Sequence, residues 1–153
     1  MTEPRINPAL PDWIKDHLTR YLASNGQDGH LWDATLGGGT GLCPTLLLTT
    51  VGRKTGEALT LPLIYGRTGD AYVVIASKGG APAHPAWYLN LAANPEVGVQ
   101  VMAERFTARA RTASGAERTA LWQMMVGVYH PYEKYQAATA REIPVVVLDR
   151  LPT

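Results

Sequence analysis

Three β-rich runs, 45–51, 59–65 and 71–76, follow one another with only glycine-bearing turns between them, at 52–56 and 66–70. Turns this short leave no room for a crossover helix, so the runs are expected to pair as consecutive antiparallel hairpins. Two more strands are predicted at 97–101 and 106–112. A last one, 143–148, is apolar without interruption, which predicts burial on both faces.

Helical periodicity appears elsewhere. Over 12–22, Trp13, Ile14, Leu18, Tyr21 and Leu22 recur on one face, and Gly26 ends the run. Pro85 suits the first position of a short helix reaching Ala93, which Asn94-Pro95 stops. Ser114-Gly115-Ala116-Glu117 has the form of a capping box, opening a helix to about Val128 with Leu121, Trp122, Met125 and Val128 as its buried face. A short helical piece carries Tyr132 and Tyr135. The stretch 25–41, with Gly37, Gly38, Gly39 and Gly41, reads as a flexible connector or lid. About six strands and three or four helices predict an α+β chain whose mainly antiparallel sheet closes into a barrel with helices packed outside.

At 153 residues the chain can bury a full core without a disulfide or metal, and one domain, 1–153, is expected: a helix and connector over 1–43 and the barrel over 44–153. A net charge of +1 argues against a nucleic-acid-binding stripe, so affinity for anions must come from local clusters. The single cysteine, Cys43, and the lack of an apolar leader over 1–10 fit a reducing cytoplasm. The apolar runs fall far short of the ~20 residues that span a bilayer. His17, His30, His84 and His130 show no metal-ligand spacing, and no metal is expected. The glycines at 37–41 lack dinucleotide-fold spacing, and no phosphate-loop lysine follows a spaced glycine pair.

Four segments carry candidate chemistry. Gly52-Arg53-Lys54-Thr55-Gly56 gathers two cations, a hydroxyl and backbone N–H groups in one tight loop, which suits an anion; the plain alternative is a hairpin turn with solvated side chains. Ala76-Ser77-Lys78-Gly79-Gly80 repeats that chemistry at another strand end, and if the two preceding strands are neighbours both loops open at one rim. In Pro85-Ala86-Trp87-Tyr88-Leu89-Asn90-Leu91 one aromatic can pack inward while the other borders a cavity, and Asn90 can brace a loop; pure packing is the alternative. Tyr129, Tyr132 and Tyr135 stand three apart, so their phenols can line one wall and give a proton at neutral pH, or serve as structural tyrosines.

Taken in order, these segments, with Leu47-Leu48-Thr49-Thr50-Val51, Asn94-Pro95 and Ile143-Pro144-Val145-Val146, resemble the deazaflavin-dependent nitroreductase family, the F420-dependent reductases of split β-barrel fold found in actinobacteria. The resemblance runs from about Pro44 to Leu148. It implies coenzyme F420, with its phosphate and oligoglutamate tail at Arg53, Lys54, Thr55 and Lys78 and its ring near Ser77 and Trp87, and with Thr50, Gly52, Gly79 and Asn90 completing the cofactor site. It implies a substrate bordered by Tyr129, Tyr132, Tyr135 and Ile64, and Tyr132, Tyr129 or Ser77 as hydrogen-bond or proton donor. Leu59 and Ile64 stand where some relatives carry a basic residue and a tyrosine.

The activity implied is hydride transfer from reduced F420 to a quinone, an α,β-unsaturated carbonyl or a nitroaromatic. The rivals are an FMN-holding reductase of the same barrel, a non-catalytic F420 carrier, and an unrelated lipid- or small-ligand-binding barrel. The resemblance leaves open weak peripheral membrane contact at the inner face and a monomer or homodimer.

Overall fold

In the computed structural model, which describes residues 5–6 and 10–152, the chain runs β1 (Arg5–Ile6), α1 (Asp12–Ser24), β2 (Leu31–Asp33), a 3-10 turn (Ala34–Gly37), β3 (Leu42–Val51), β4 (Ala58–Ile64), β5 (Gly66–Thr68) and β6 (Ala71–Ile75). A second 3-10 turn (Lys78–Gly80), α2 (Ala86–Ala93), β7 (Glu96–Val101), β8 (Glu104–Thr112), α3 (Gly115–Val128), α4 (Pro131–Ala137) and β9 (Val145–Arg150) complete it. The strands pair in the order β1-β4-β3-β7-β8-β9-β6-β5, with β2 added to β3. Every pairing is antiparallel except β1 with β4. The α+β class and mainly antiparallel sheet follow the sequence expectation; three short strands, β1, β2 and β5, raise the count above six.

Side chains alternate across each strand, and both faces are apolar here. Leu46 and Leu48 of β3, Val97 and Val99 of β7, Phe106 and Ala108 of β8, Val146 and Leu148 of β9 and Tyr72 and Val74 of β6 share one core. Because β3 and β6 lie far apart along the sheet, a common core requires the sheet to curl over into a half barrel. The intervening residues point outward: Val73, Ile75, Val145 and Val147 pack with Leu121 and Met125 of α3, and Leu47 packs with Leu18 and Tyr21 of α1. This double burial is why 143–148 is apolar throughout, although the strand itself starts at Val145, after Pro144 has accepted the Ala76 N–H at 3.0 Å.

Several local expectations are corrected. Only β3 and β4 form the first predicted hairpin; β4 and β6 do not pair. The stretch 66–70 is not merely a turn, because β5 doubles back on β6, whose other edge is taken by β9. Ser114 sits at the start of α3 but makes no side-chain cap bond. Glu117 is drawn away by Arg111, which forms a forked pair with it at 2.6 and 3.0 Å, a charge-assisted geometry stronger than the reciprocal cap.

Helix α1 runs to Ser24 and is ended by Asn25, in the left-handed conformation at φ 51°. Its Tyr21 hydroxyl donates to the Thr45 carbonyl at 3.0 Å and accepts the Met102 N–H at 2.8 Å. Trp13 and Leu22, expected on its buried face, are 57% and 39% exposed. The glycine-rich stretch read as a flexible connector or lid contains β2 and the first 3-10 turn, pinned on β3 and on Tyr129. Among the described residues no helix is long and apolar enough to cross a membrane.

Candidate active site

A cavity of about 760 Å³ lies where β4, the loop after β6, the first turns of α1 and α2, and the corner between α3 and α4 converge. That volume falls within the ~300–1,000 Å³ usual for small-molecule and cofactor sites. Leu61 and Leu63 of β4 and Trp87 of α2 give it apolar walls.

One end is polar and cationic. Ser77, Lys78 and Gly79 border it, beside Thr50, Trp87 and Asn90. Here Lys78, Gly79 and Gly80 all take positive φ, at 47°, 62° and 83°, a run that turns the loop back on itself and leaves Lys78 exposed. The other basic loop stands apart. Gly52, Arg53, Lys54 and Thr55 do not line the cavity, and β3 and β6 are separated by β7, β8 and β9, so the expected strand neighbourhood is absent.

Asn90 makes the link instead. Its carbonyl oxygen accepts from Arg53 twice, from the guanidinium at 2.9 Å and the backbone N–H at 3.2 Å. Its amide donates to the Thr50 hydroxyl at 3.3 Å. A buried asparagine thus ties the 52–56 turn to the cavity edge and holds the Arg53 charge beside it.

A further wall is aromatic. Tyr129 ends α3, while Tyr132 and Tyr135 lie on α4, so the three share a corner between helices rather than one helix face. Their rings meet edge to face: 5.0 Å between Tyr129 and Tyr132 at 76°, and 6.3 Å between Tyr132 and Tyr135 at 73°. Tyr129 donates its proton to the Gly37 carbonyl at 2.9 Å, which leaves Tyr135 to donate to Tyr129 across 3.1 Å. Among the described residues, nothing engages the Tyr132 hydroxyl. Gly37 and Gly39 are required for this contact, because a Cβ at Gly39 would come 2.9 Å from the Tyr129 ring. Ile64 borders the same wall.

Burial holds the phenols of Tyr132, Tyr129, Tyr65 and Tyr21 above their ordinary value, with the Tyr135 hydrogen bond adding to the rise at Tyr129. Their folded-state pKa thus exceeds the unfolded value near 10, so their stabilisation is complete below about pH 10 and is lost as pH climbs toward the folded-state value. In an alkaline titration followed by tyrosinate absorbance, these four of the seven tyrosines are expected to stay protonated where an ordinary phenol has begun to ionise, and then to ionise together with unfolding. These four ionising as ordinary phenols in a protein that stays folded would contradict their burial.

Comparison with known proteins places this geometry. The sequence profile described as F420H(2)-dependent quinone reductase matches residues 13–150. The chain belongs to that family. An F420H(2)-dependent quinone reductase of Mycobacterium tuberculosis (strain H37Rv) is 42% identical over 140 residues, covering 90% of this chain and 89% of the relative. A solved F420-H2 dependent reductase aligns with a TM-score of 0.65 and 41% identity over 69% of this chain and 94% of its own. Another solved relative, described as a domain-swapped dimer, aligns with a TM-score of 0.68 and 37% identity, covering 90% and 98%. By membership this chain is an F420H(2)-dependent oxidoreductase.

The residues of this reductase fit the family's cofactor. A flat ring with an anionic tail needs an apolar slot ending in cations and small residues, and the cavity offers Leu61, Leu63 and Trp87 beside Ser77, Lys78 and Gly79. Gly79 faces open space, since an added Cβ would meet nothing within 4 Å. Among the described residues there is no cluster of three or more metal-ligating side chains.

Sequence reasoning missed two groups in the reductase. Trp13 and Trp32, stacked 6.2 Å apart at 22°, extend the aromatic wall from Tyr129 toward the cavity mouth; the helical period identified Trp13 as apolar but not what it faced. Arg141 holds the loop after β6 and had no sequence signal, since a lone arginine between helix and strand looks solvated.

Proposed function

We propose that this reductase holds F420H2 with its tail toward Lys78 and Arg53, and reduces a quinone set between the ring and the tyrosine corner. The observation that carries the reading is one cavity bordered both by a cationic, glycine-bearing loop and by a buried phenol whose proton no group among the described residues takes. Bound there, reduced F420 supplies a hydride.

The chain supplies the rest. Lys78, Arg53, Thr55 and Lys54 attract the phosphate and carboxylates of the tail, Arg53 being held in place by Asn90. Trp87 and the β4 leucines exclude water from the ring, which strengthens every charge interaction in the slot. Reduction of a quinone there would place negative charge on its oxygen. The Tyr132 O–H is the donor placed to meet that charge and pass its proton, giving the hydroquinone, and water restores the phenol. Tyr129 keeps its own proton on Gly37 and orients the corner; Ser77 donates from the cofactor side. The same reading puts the reductase in the cytoplasm, as a monomer or a homodimer, the latter suggested by the domain-swapped relative.

The test is a fluorescence titration with F420 and separately with FMN, on the wild type, Lys78→Ala and Lys54→Ala. F420 is expected to bind with micromolar or tighter Kd, about 8 kcal/mol, and Lys78→Ala to weaken it at least about tenfold, or 1.4 kcal/mol. Lys54, exposed and outside the cavity, should matter less. Binding of FMN alone would move the assignment to a flavin reductase.

A further inference from the structure

The loop after β6 contains one residue, Lys78, held in a conformation that its side chain does not favour. Three successive residues, Lys78, Gly79 and Gly80, have left-handed φ, and Lys78 is not a glycine. A side-chain-bearing residue there is strained and persists only when its surroundings over-determine it. The constraint comes from a residue 57 to 65 positions away in the chain.

Arg141, in the segment joining α4 to β9, spreads its guanidinium over both ends of the loop. Nη1 donates to the Ala76 carbonyl at 3.2 Å and Nη2 to the Ser77 carbonyl at 2.7 Å, on the entering side. Nε donates to the Ala81 carbonyl at 2.8 Å and Nη1 to His84 Nδ1 at 3.0 Å, on the leaving side. A guanidinium only donates, so His84 must accept at Nδ1 and carry its proton on Nε2. Burial first, and the adjacent Arg141 charge second, hold His84 below its ordinary value, which keeps the ring neutral and able to accept.

The clamp is itself braced. Gln136 of α4 donates to the Arg141 carbonyl at 2.8 Å and accepts the Ile143 N–H at 2.9 Å. Gly80 lies directly on α4, where a Cβ would come 2.8 Å from the Tyr135 carbonyl oxygen. Among the described residues no carboxylate pairs with Arg141; the neighbouring Glu142 is instead 3.3 Å from Arg118. All four acceptors are neutral, so the full positive charge stays behind the loop that presents Ser77, Lys78 and Gly79 to the cavity.

We propose that Arg141 is a positioning residue for the cofactor: its forked bonds to Ala76, Ser77, Ala81 and His84 fix the 76–84 loop so that Ser77, Lys78 and Gly79 face the anionic tail and the ring edge. This rests on the F420 reading above. Arg141 does not line the cavity and acts entirely through the loop. Lysine in its place keeps the charge but, as a point donor, cannot span both sides of the loop.

The experiment compares wild type, Arg141→Lys and Arg141→Met by hydrogen exchange without cofactor and by F420 titration. In Arg141→Lys, amides of 76–84 are expected to exchange faster while β7 and β8 keep their protection. Its F420 Kd is expected to rise about tenfold, equivalent to about 1.4 kcal/mol. The quinone KM at saturating F420H2 should be unchanged, a split that a general loss of stability does not produce.

Unchanged loop exchange and unchanged Kd in Arg141→Lys would overturn the proposal. Loss of protection throughout β7 and β8 in both variants would also overturn it, making Arg141 a residue of the global fold. The wild type and Lys78→Ala separate the two readings. If Lys78→Ala weakens F420 binding and Arg141→Lys does not, the cofactor reading stands and the positioning role falls. If the wild type does not bind F420, both fall.

Discussion

Replacing Tyr132 by phenylalanine is expected to lower quinone turnover by about 100-fold, the lower end of what a positioned proton donor contributes. The F420 Kd should stay within about twofold of wild type, because no polar protein contact is lost and the ring still fills its place. The Tyr132 ring is 5% exposed and packs edge to face with Tyr129 and Tyr135, so the substitution removes only an oxygen. Steady-state kinetics with saturating F420H2 and a soluble quinone check this. Tyr129→Phe is the informative companion. It breaks the bond to Gly37 and the partner of Tyr135, and should lower thermal stability as well as turnover. Tyr132→Phe turning over at the wild-type rate would leave the proton to come from water and remove Tyr132 from the reaction.

Gly80→Ala is expected to cost more stability than any other single methyl added to the cofactor loop. Its φ of 83° places an L-residue in the left-handed region, at about 1–3 kcal/mol. The added Cβ also meets the Tyr135 carbonyl oxygen at 2.8 Å and its Cα at 3.0 Å. Both are backbone atoms of α4, which cannot rotate away as a side chain would, so the helix must shift. Gly79→Ala is the control, with φ of 62° and open space at its Cβ. It should show the conformational cost alone. Denaturant unfolding of the pair is expected to differ by about 1–3 kcal/mol, an overpacking cost. Because α4 carries Tyr132 and Tyr135, Gly80→Ala should reduce turnover as well as F420 affinity. Equal stabilities for the two variants would mean that α4 is not packed on the loop.

The contrast between these glycines shows where sequence reading stops. Both stand in Ser77-Lys78-Gly79-Gly80, and both were legible as residues that let a backbone turn tightly. Only the packing of α4 makes one of them indispensable for space and the other merely for φ. The capping box at Ser114 is a similar case. The motif located the start of α3 correctly, yet Ser114 makes no side-chain cap bond, and the Glu117 carboxylate that would complete the box is held by Arg111, six residues before it on β8, in a forked charged contact.

The tyrosines illustrate it again. Spacing of three put Tyr129, Tyr132 and Tyr135 on one wall, and they are on one wall, but the helix breaks between Tyr129 and Pro131. It is the donor accounting at that corner, with Gly37 taking one proton and Tyr129 another, that singles out Tyr132.

By itself the sequence determined the parts that depend on near neighbours in the chain. Periodicity and turn chemistry set most strands and helices, the unbroken run before Leu148 announced a strand buried on both faces, and the segments 52–56, 76–80, 85–91 and 129–135 stood out as the reactive ones. Tertiary structure alone decided what these segments do together. The apolar faces of β3 and β6 are joined through β7, β8 and β9 into one curled core, and the Ser77 loop and the tyrosine corner meet at one cavity while Arg53 is tied to its edge through Asn90. Arg141 became visible only there, because its partners lie some sixty residues away. Local patterns encode which face of an element is apolar; which apolar face meets which is settled by the free energy of packing the whole sheet at once, and a sequence read in order does not carry that sum.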